Sequence, residues 1–166
     1  GINWQTNFKI LNGLNNVSNL LTQLNSDLSL FISFSTQANV VIATRIGGGI
    51  NFNKDFEFFQ AQYLGGTENL RGFRKYRFAG KSMLFNNTEL RIKLADFRTY
   101  ILPGSIGLLF FNDIGRVWTE NDNSSKWHNG FGGGFWIVPL KRLAITASIT
   151  KSDEETLPLI TFGWQF

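Results

Sequence analysis

Leu84-Phe85-Asn86-Asn87-Thr88-Glu89-Leu90-Arg91-Ile92-Lys93-Leu94-Ala95 alternates more cleanly than any other stretch of the chain. Leu90, Ile92 and Leu94 fall on one face, and Glu89, Arg91 and Lys93 on the other. A period of two is the signature of a β-strand. Alternation alone also suits a soluble sandwich, so the chemistry of the second face decides the fold. That face carries charged and amide side chains where a soluble barrel would place its apolar interior. Apolar outside and polar inside is the arrangement of a membrane barrel.

The same pattern extends in both directions. Upstream, residues 2–11 set Ile2, Trp4, Thr6, Phe8 and Ile10 against Asn3, Gln5, Asn7 and Lys9. Residues 20–35 set Leu28, Leu30, Ile32 and Phe34 against Asp27, Ser29 and Ser33, with Phe31 interrupting the polar face. Leu14, Val17, Leu21, Leu24 and Leu28 also fit a helical period, so a helical turn is an alternative at that point. Residues 38–50 form a third strand. Downstream, 105–118 is a fifth strand with Phe111, Asp113 and Gly115 on one face, 129–138 a glycine-rich sixth, 142–150 a seventh and 157–166 an eighth. Eight strands of about ten residues or more have the reach to cross a bilayer obliquely. The turns at Pro103-Gly104 and Pro139-Leu140-Lys141 are short, as at a periplasmic rim. The connections 51–82 and 120–126 are long, as at an outer rim, although the 152–156 turn is short too.

Composition narrows the alternatives. The chain has 17 Gly and 17 Phe and is poor in Ala, Glu and Lys, which favours an all-β fold. No apolar run reaches the ~18 residues of a membrane helix, and only helices and closed barrels span a bilayer. The net charge is +4, but the basic residues form no dense tract, so no nucleic-acid partner is expected. With His128 the sole histidine and no cysteine, zinc sites and histidine-based triads have almost nothing to build from. No catalytic residue, metal or cofactor is expected, and His128 reads as an interface residue near the outer rim. The glycine run 130–134 lacks the Gly-Lys-Ser/Thr of a phosphate loop. It is expected to let the wall bend or a folded-in loop approach closely. Asn16-Val17-Ser18 and Asn123-Ser124-Ser125 match the glycosylation pattern by chance.

The 51–82 connection is too long for a simple hairpin. Its aromatics, among them Phe52, Phe56, Phe58, Phe59, Tyr63, Phe73, Tyr76 and Phe78, need a surface to pack on; Arg71, Arg74, Lys75 and Arg77 need water or acids. Eight strands close around an interior that side chains alone fill. A loop of about thirty residues therefore lies outside such a barrel, or the eight strands are half of a wider one, which we favour.

Three motifs then point to a family. Leu70-Arg71-Gly72-Phe73 resembles the (V/L)-R-G-(F/Y) motif of the BamA/TamA-type outer-membrane superfamily, the bacterial surface antigen family. Phe111-Asn112-Asp113-Ile114-Gly115 resembles its F-x-D-x-G strand motif, and Asn86-Asn87-Thr88-Glu89 its G-x-x-E, with Asn86 in place of the glycine. Ile160, Phe162, Trp164 and Phe166, on one face by parity, resemble the C-terminal signal of outer-membrane barrels. The resemblance implies that residues 1–166 are the C-terminal half of a sixteen-stranded barrel in the bacterial outer membrane. Its 51–82 loop would fold into the lumen, with Arg71 meeting Asp113 and Glu89 on the inner wall. Parity independently puts both carboxylates on the polar face, and a guanidinium suits paired carboxylates as lysine does not.

By the same resemblance the function is non-enzymatic: insertion or translocation of other proteins, through a seam bounded by the last strand. The expected partners are outer-membrane lipid, client outer-membrane or secreted proteins, and periplasmic accessory proteins. Two alternatives stand beside it. One is a barrel that anchors or exports a fused enzyme, a calcineurin-like phosphoesterase or a patatin-like lipase; the other is a soluble β-barrel binding protein.

Overall fold

The computed structural model describes residues 1–12, 20–35, 37–53, 56–98, 103–120, 125–164 and 166. The described residues form an antiparallel wall of eight strands: β1 (Ile2–Leu11), β2 (Leu21–Ser33), β3 (Val40–Asn51), β6 (Ser82–Phe97), β7 (Gly104–Trp118), β8 (His128–Pro139), β9 (Ile145–Ser152) and β10 (Thr156–Phe162). Two short strands inside the long connection, β4 (Gln62–Leu64) and β5 (Phe78–Gly80), pair only with each other. Each wall strand pairs with its neighbour in the chain, apart from the step from β3 to β6 across that connection. Among the described residues β1 and β10 end the sheet without pairing to one another.

The wall is inverted relative to a soluble protein. On one face Ile149, Ile160 and Phe162 are 64%, 70% and 71% exposed, while on the other Asn87, Glu89 and Asp113 are at most 2% exposed. Register explains how the polar side chains gather. One inner row runs Ala43, Glu89, Phe111, Gly132, Thr150, Leu157; the next runs Arg45, Asn87, Asp113, Gly130, Ser152. Because the side-chain period is two, one-residue slippage would send every carboxylate to the apolar face.

The connection lies on the inner face. Leu64, Leu70 and Phe73 pack with Phe85 of β6 into a buried cluster, against which Phe78, Met83 and Val117 also pack. Burying such side chains is worth about 1.5–3 kcal/mol each, enough to hold a long loop against its ordering cost. Its other aromatics do not share this core: Phe52, Phe58, Phe59 and Tyr76 are exposed.

Antiparallel order sends the 51–82 connection and the 152–156 turn to the same rim, so this turn is a short connection among the long ones there. Short as it is, it clasps the loop: Arg74 pairs with Glu155 at 3.1 Å and Arg77 with Glu154 at 2.8 Å. The alternative helical period is not used where it can be seen, since Leu21, Leu24 and Leu28 belong to β2. Leu14, Val17 and both glycosylation patterns lie wholly or partly outside the described residues. β9 starts at Ile145, later than the alternation suggests, because Leu140 and Lys141 adopt positive φ (54° and 55°) in the preceding turn.

The end of the wall departs from the sequence reading. β10 stops at Phe162, and Gly163 takes φ +88°. The four aromatic-signal positions therefore do not share a face. Ile160 and Phe162 point outward. Trp164 turns in to sit 5.4 Å from Trp136, an inner-face residue, and Phe166 lies 6.1 Å from Phe31. The residue that broke the polar face of β2 is the one that meets this tail.

Candidate functional site

The site is the tip of the folded-in loop. The chain reverses through Gly65 and Gly66, whose turn closes with a bridge between Gly66 and Leu70. The Asn69 side chain pins the reversal, accepting from the Gly65 amide at 3.0 Å and donating to the Tyr63 carbonyl at 2.8 Å. Leu70 and Phe73, on either side of the tip, are buried in the loop core, so Arg71 between them is delivered to the wall.

There its guanidinium makes three charge-assisted hydrogen bonds. Nε and Nη2 donate to the two oxygens of Asp113 at 2.7 Å each, and Nη1 donates to Glu89 Oε1 at 2.5 Å. The Arg71 amide also donates to Asp113 Oδ2 at 3.0 Å. Beneath the plane of these bonds, the Phe111 ring centroid is 3.6 Å from Arg71 Cζ. Phe111 is opposite Glu89 in the ladder and two residues from Asp113, so acid, ring and acid form a flat bed matched to a guanidinium. The Arg71 and Asp113 side chains are 6% and 0% exposed. Burial opposes the Arg71 charge, but Asp113 and then Glu89 outweigh it and hold its pKa above the usual arginine value.

The wall leaves room for this tip. A Cβ at Gly130 would stand 1.8 Å from the Arg71 carbonyl oxygen, so only glycine allows the loop backbone to pass there. Gly115 lies under Leu64, with a hypothetical Cβ 2.9 Å from Leu64 Cδ1. The Gly72 carbonyl accepts from Ser152 Oγ at 2.7 Å. His128 is half-buried near the same rim, stacked on Phe78 at 3.7 Å.

Several participants escape a reading by motif. Arg91 donates through Nε and Nη2 to Glu89 Oε2 at 2.8 and 2.5 Å, so Glu89 is shared between two arginines. Parity could have found Arg91, which is two residues beyond Glu89 on the same face. Asn87 donates to the Asn69 carbonyl at 2.8 Å and accepts from Arg45 Nη2 at 2.8 Å; Arg45 also reaches the Glu68 carbonyl. No local signal marks Arg45, which is joined to the site only by cross-strand register. Among the described residues no group of His, Cys, Asp or Glu is placed to hold a metal ion. With both acids saturated by arginine, the arrangement is an anchor rather than a reactive centre.

Comparison with known proteins agrees with this architecture. The Omp85 superfamily domain matches residues 2–165. The crystal structure of BamA from Haemophilus ducreyi lacking POTRA domains 1–3 superposes with a TM-score of 0.60 at 19% identity, over 86% of this chain and 34% of that one. The chain thus spans about a third of that BamA chain. No curated protein matched. The chain belongs to the Omp85 superfamily, and its place is the bacterial outer membrane.

Proposed function

We propose that residues 1–166 form the C-terminal half of a sixteen-stranded barrel that assists insertion or translocation of client proteins. In this reading the 51–82 loop is a fixed lumen element, held by Leu70, Arg71, Gly72 and Phe73 on the bed of Glu89, Phe111, Asp113 and Gly115. The strand β10 is one side of the seam. The observation that carries the proposal is a loop gripped on the inner face of a wall whose two edges stay open: a closed eight-stranded barrel has no room for that loop.

The geometry of β10 supports its role. The Gly163 amide donates to the Ala144 carbonyl at 2.6 Å. Hydrogen-bonded pairs alternate along an antiparallel ladder, so residues 157, 159 and 161 bond toward β9 and the peptide groups of Pro158, Ile160 and Phe162 face the open edge. Proline has no amide hydrogen to donate. A neighbour on that edge meets a seven-residue strand with a gap in its donors, a pairing suited to being opened.

The test is reconstitution of the full-length protein in liposomes with an unfolded outer-membrane client, followed by heat-modifiable folding of the client. Acceleration over empty liposomes is expected. No acceleration, with an upstream enzyme domain still delivered to the surface, would favour the anchor of a fused enzyme instead.

A further inference from the structure

The loop anchor and the end of the last strand meet at one side chain. Arg91 makes both its hydrogen bonds to Glu89 Oε2, the oxygen that Arg71 leaves free. Its guanidinium carbon is also 4.4 Å from the Trp164 ring centroid and 5.6 Å from that of Phe166. Arg45 repeats the arrangement one strand away, bonded to Asn87 and the Glu68 carbonyl on the loop side and 5.1 Å from the Phe166 ring on the tail side. Between the two regions lies a cavity of about 170 Å³, lined by Glu68, Arg71, Glu89, Leu109, Thr146 and Trp164 among others, so the tail does not press on the loop tip as one packed body.

We propose that Arg91 is a positioning residue that couples the lumen loop to the inward-turned tail beyond β10. Its planar face holds Trp164 only while its edge is fixed by Glu89, and Glu89 is fixed in turn by Arg71. Release of the tail leaves Arg91 free to rotate off Glu89 and weakens the loop's seat; release of the loop loosens the tail. An arginine can serve both partners at once because its donors lie in the ring plane and its faces stay open for stacking. The consequence for the seam rests on the function proposed above, but the coupling itself is read without any client. Its failure is therefore separable from failure of that reading.

The experiment is a double-mutant cycle on the full-length protein in micelles, read by hydrogen exchange of the 64–73 segment. Trp164→Leu is expected to speed exchange roughly three- to tenfold with Arg91 present, and by less than about twofold in an Arg91→Met background. Trp164→Phe, which keeps a ring, should preserve most of the protection. Equal acceleration in both backgrounds, or none in either, overturns the proposal. Should Arg91→Met not fold, Arg91→Lys serves: it keeps a charge for Glu89 and loses the planar stack. The ¹⁹F resonance of fluorinated Trp164 should then move while the loop stays protected, and an unmoved resonance overturns the proposal equally.

Discussion

Replacing Arg71 with lysine keeps the charge and removes the fork, which makes it the sharpest test of the anchor. The wild-type side chain donates three hydrogen bonds to two carboxylates and covers the Phe111 ring. An ammonium at the end of a flexible stem can satisfy one carboxylate well. It should choose Asp113, which is fully buried and has no second arginine, because Glu89 retains Arg91. The loss is then one or two charge-assisted hydrogen bonds plus the stacking, against a retained ion pair. Hydrogen bonds to charged groups are worth about 1.5–3 kcal/mol each, and Arg91 softens the loss at Glu89, so a net cost of about 2–3 kcal/mol is expected. That corresponds to an open population about 30- to 150-fold larger. Hydrogen exchange in micelles reads it directly, since the Arg71 amide is itself bonded to Asp113 and its segment is buried. A solvent-screened pair would be worth only about 0–1 kcal/mol. Acceleration below about fivefold would therefore refute the buried-anchor argument.

Exchanging the partners, Arg71→Asp with Asp113→Arg, should recover part of the protection lost in either single variant; no recovery in the same exchange assay would mean that the two do not act as a pair. Gly130→Ala should release the loop tip at least as much as Arg71→Lys, because its Cβ would stand 1.8 Å from the Arg71 carbonyl oxygen; wild-type exchange in this variant would contradict that close passage. Arg74→Gln with Arg77→Gln should loosen the clasp only slightly, and the effect should vanish in high salt, since the two arginine side chains are 78% and 49% exposed. Exchange of the 74–80 segment at low and high salt checks this, and a salt-independent effect would argue against simple surface pairing.

Much of the wall was legible because a strand's side-chain period is two. Once Glu89 and Asp113 are on strands, parity alone puts them on the polar face, where a loop folded inward brings Arg71 to both. What parity cannot supply is register. Arg45, Asn87, Asp113 and Gly130 form one row only because four strands align at a particular offset, and that offset is set by the packing of the whole sheet. The glycine run in β8 suits either a bend in the wall or close approach of the loop, and which glycine admits the loop depends on where the Arg71 carbonyl lands. Arg91 was legible as a polar-face residue, while its sharing of Glu89 was not, because that requires knowing that Arg71 leaves one oxygen unused.

The tail beyond β10 shows where parity fails, and Gly163 shows why. Alternation assumes extended backbone at every step, and a residue at φ +88° resets the phase of all that follow. The cost of that conformation for an L-residue is about 1–2 kcal/mol, and more for a β-branched one. Against it stand the stacking of Trp164 on Arg91 and Phe166 on Arg45, at about 0.5–1 kcal/mol each, and the Trp136–Trp164 pair at about 0.5–1.5 kcal/mol. The two sides are of similar size, so the tail is held inward by a narrow margin that glycine makes favourable. Gly163→Val should tip it outward. A Cβ at 163 meets no atom within 4 Å, so the substitution acts through backbone conformation and not through a clash. With fluorinated tryptophan, the Trp164 resonance, assigned by its loss in Trp164→Phe, should shift and broaden under a lipid-soluble paramagnetic probe. If Trp164 in the valine variant stays as protected from that probe as in wild type, the inward turn does not depend on glycine, and the balance worked out here is wrong.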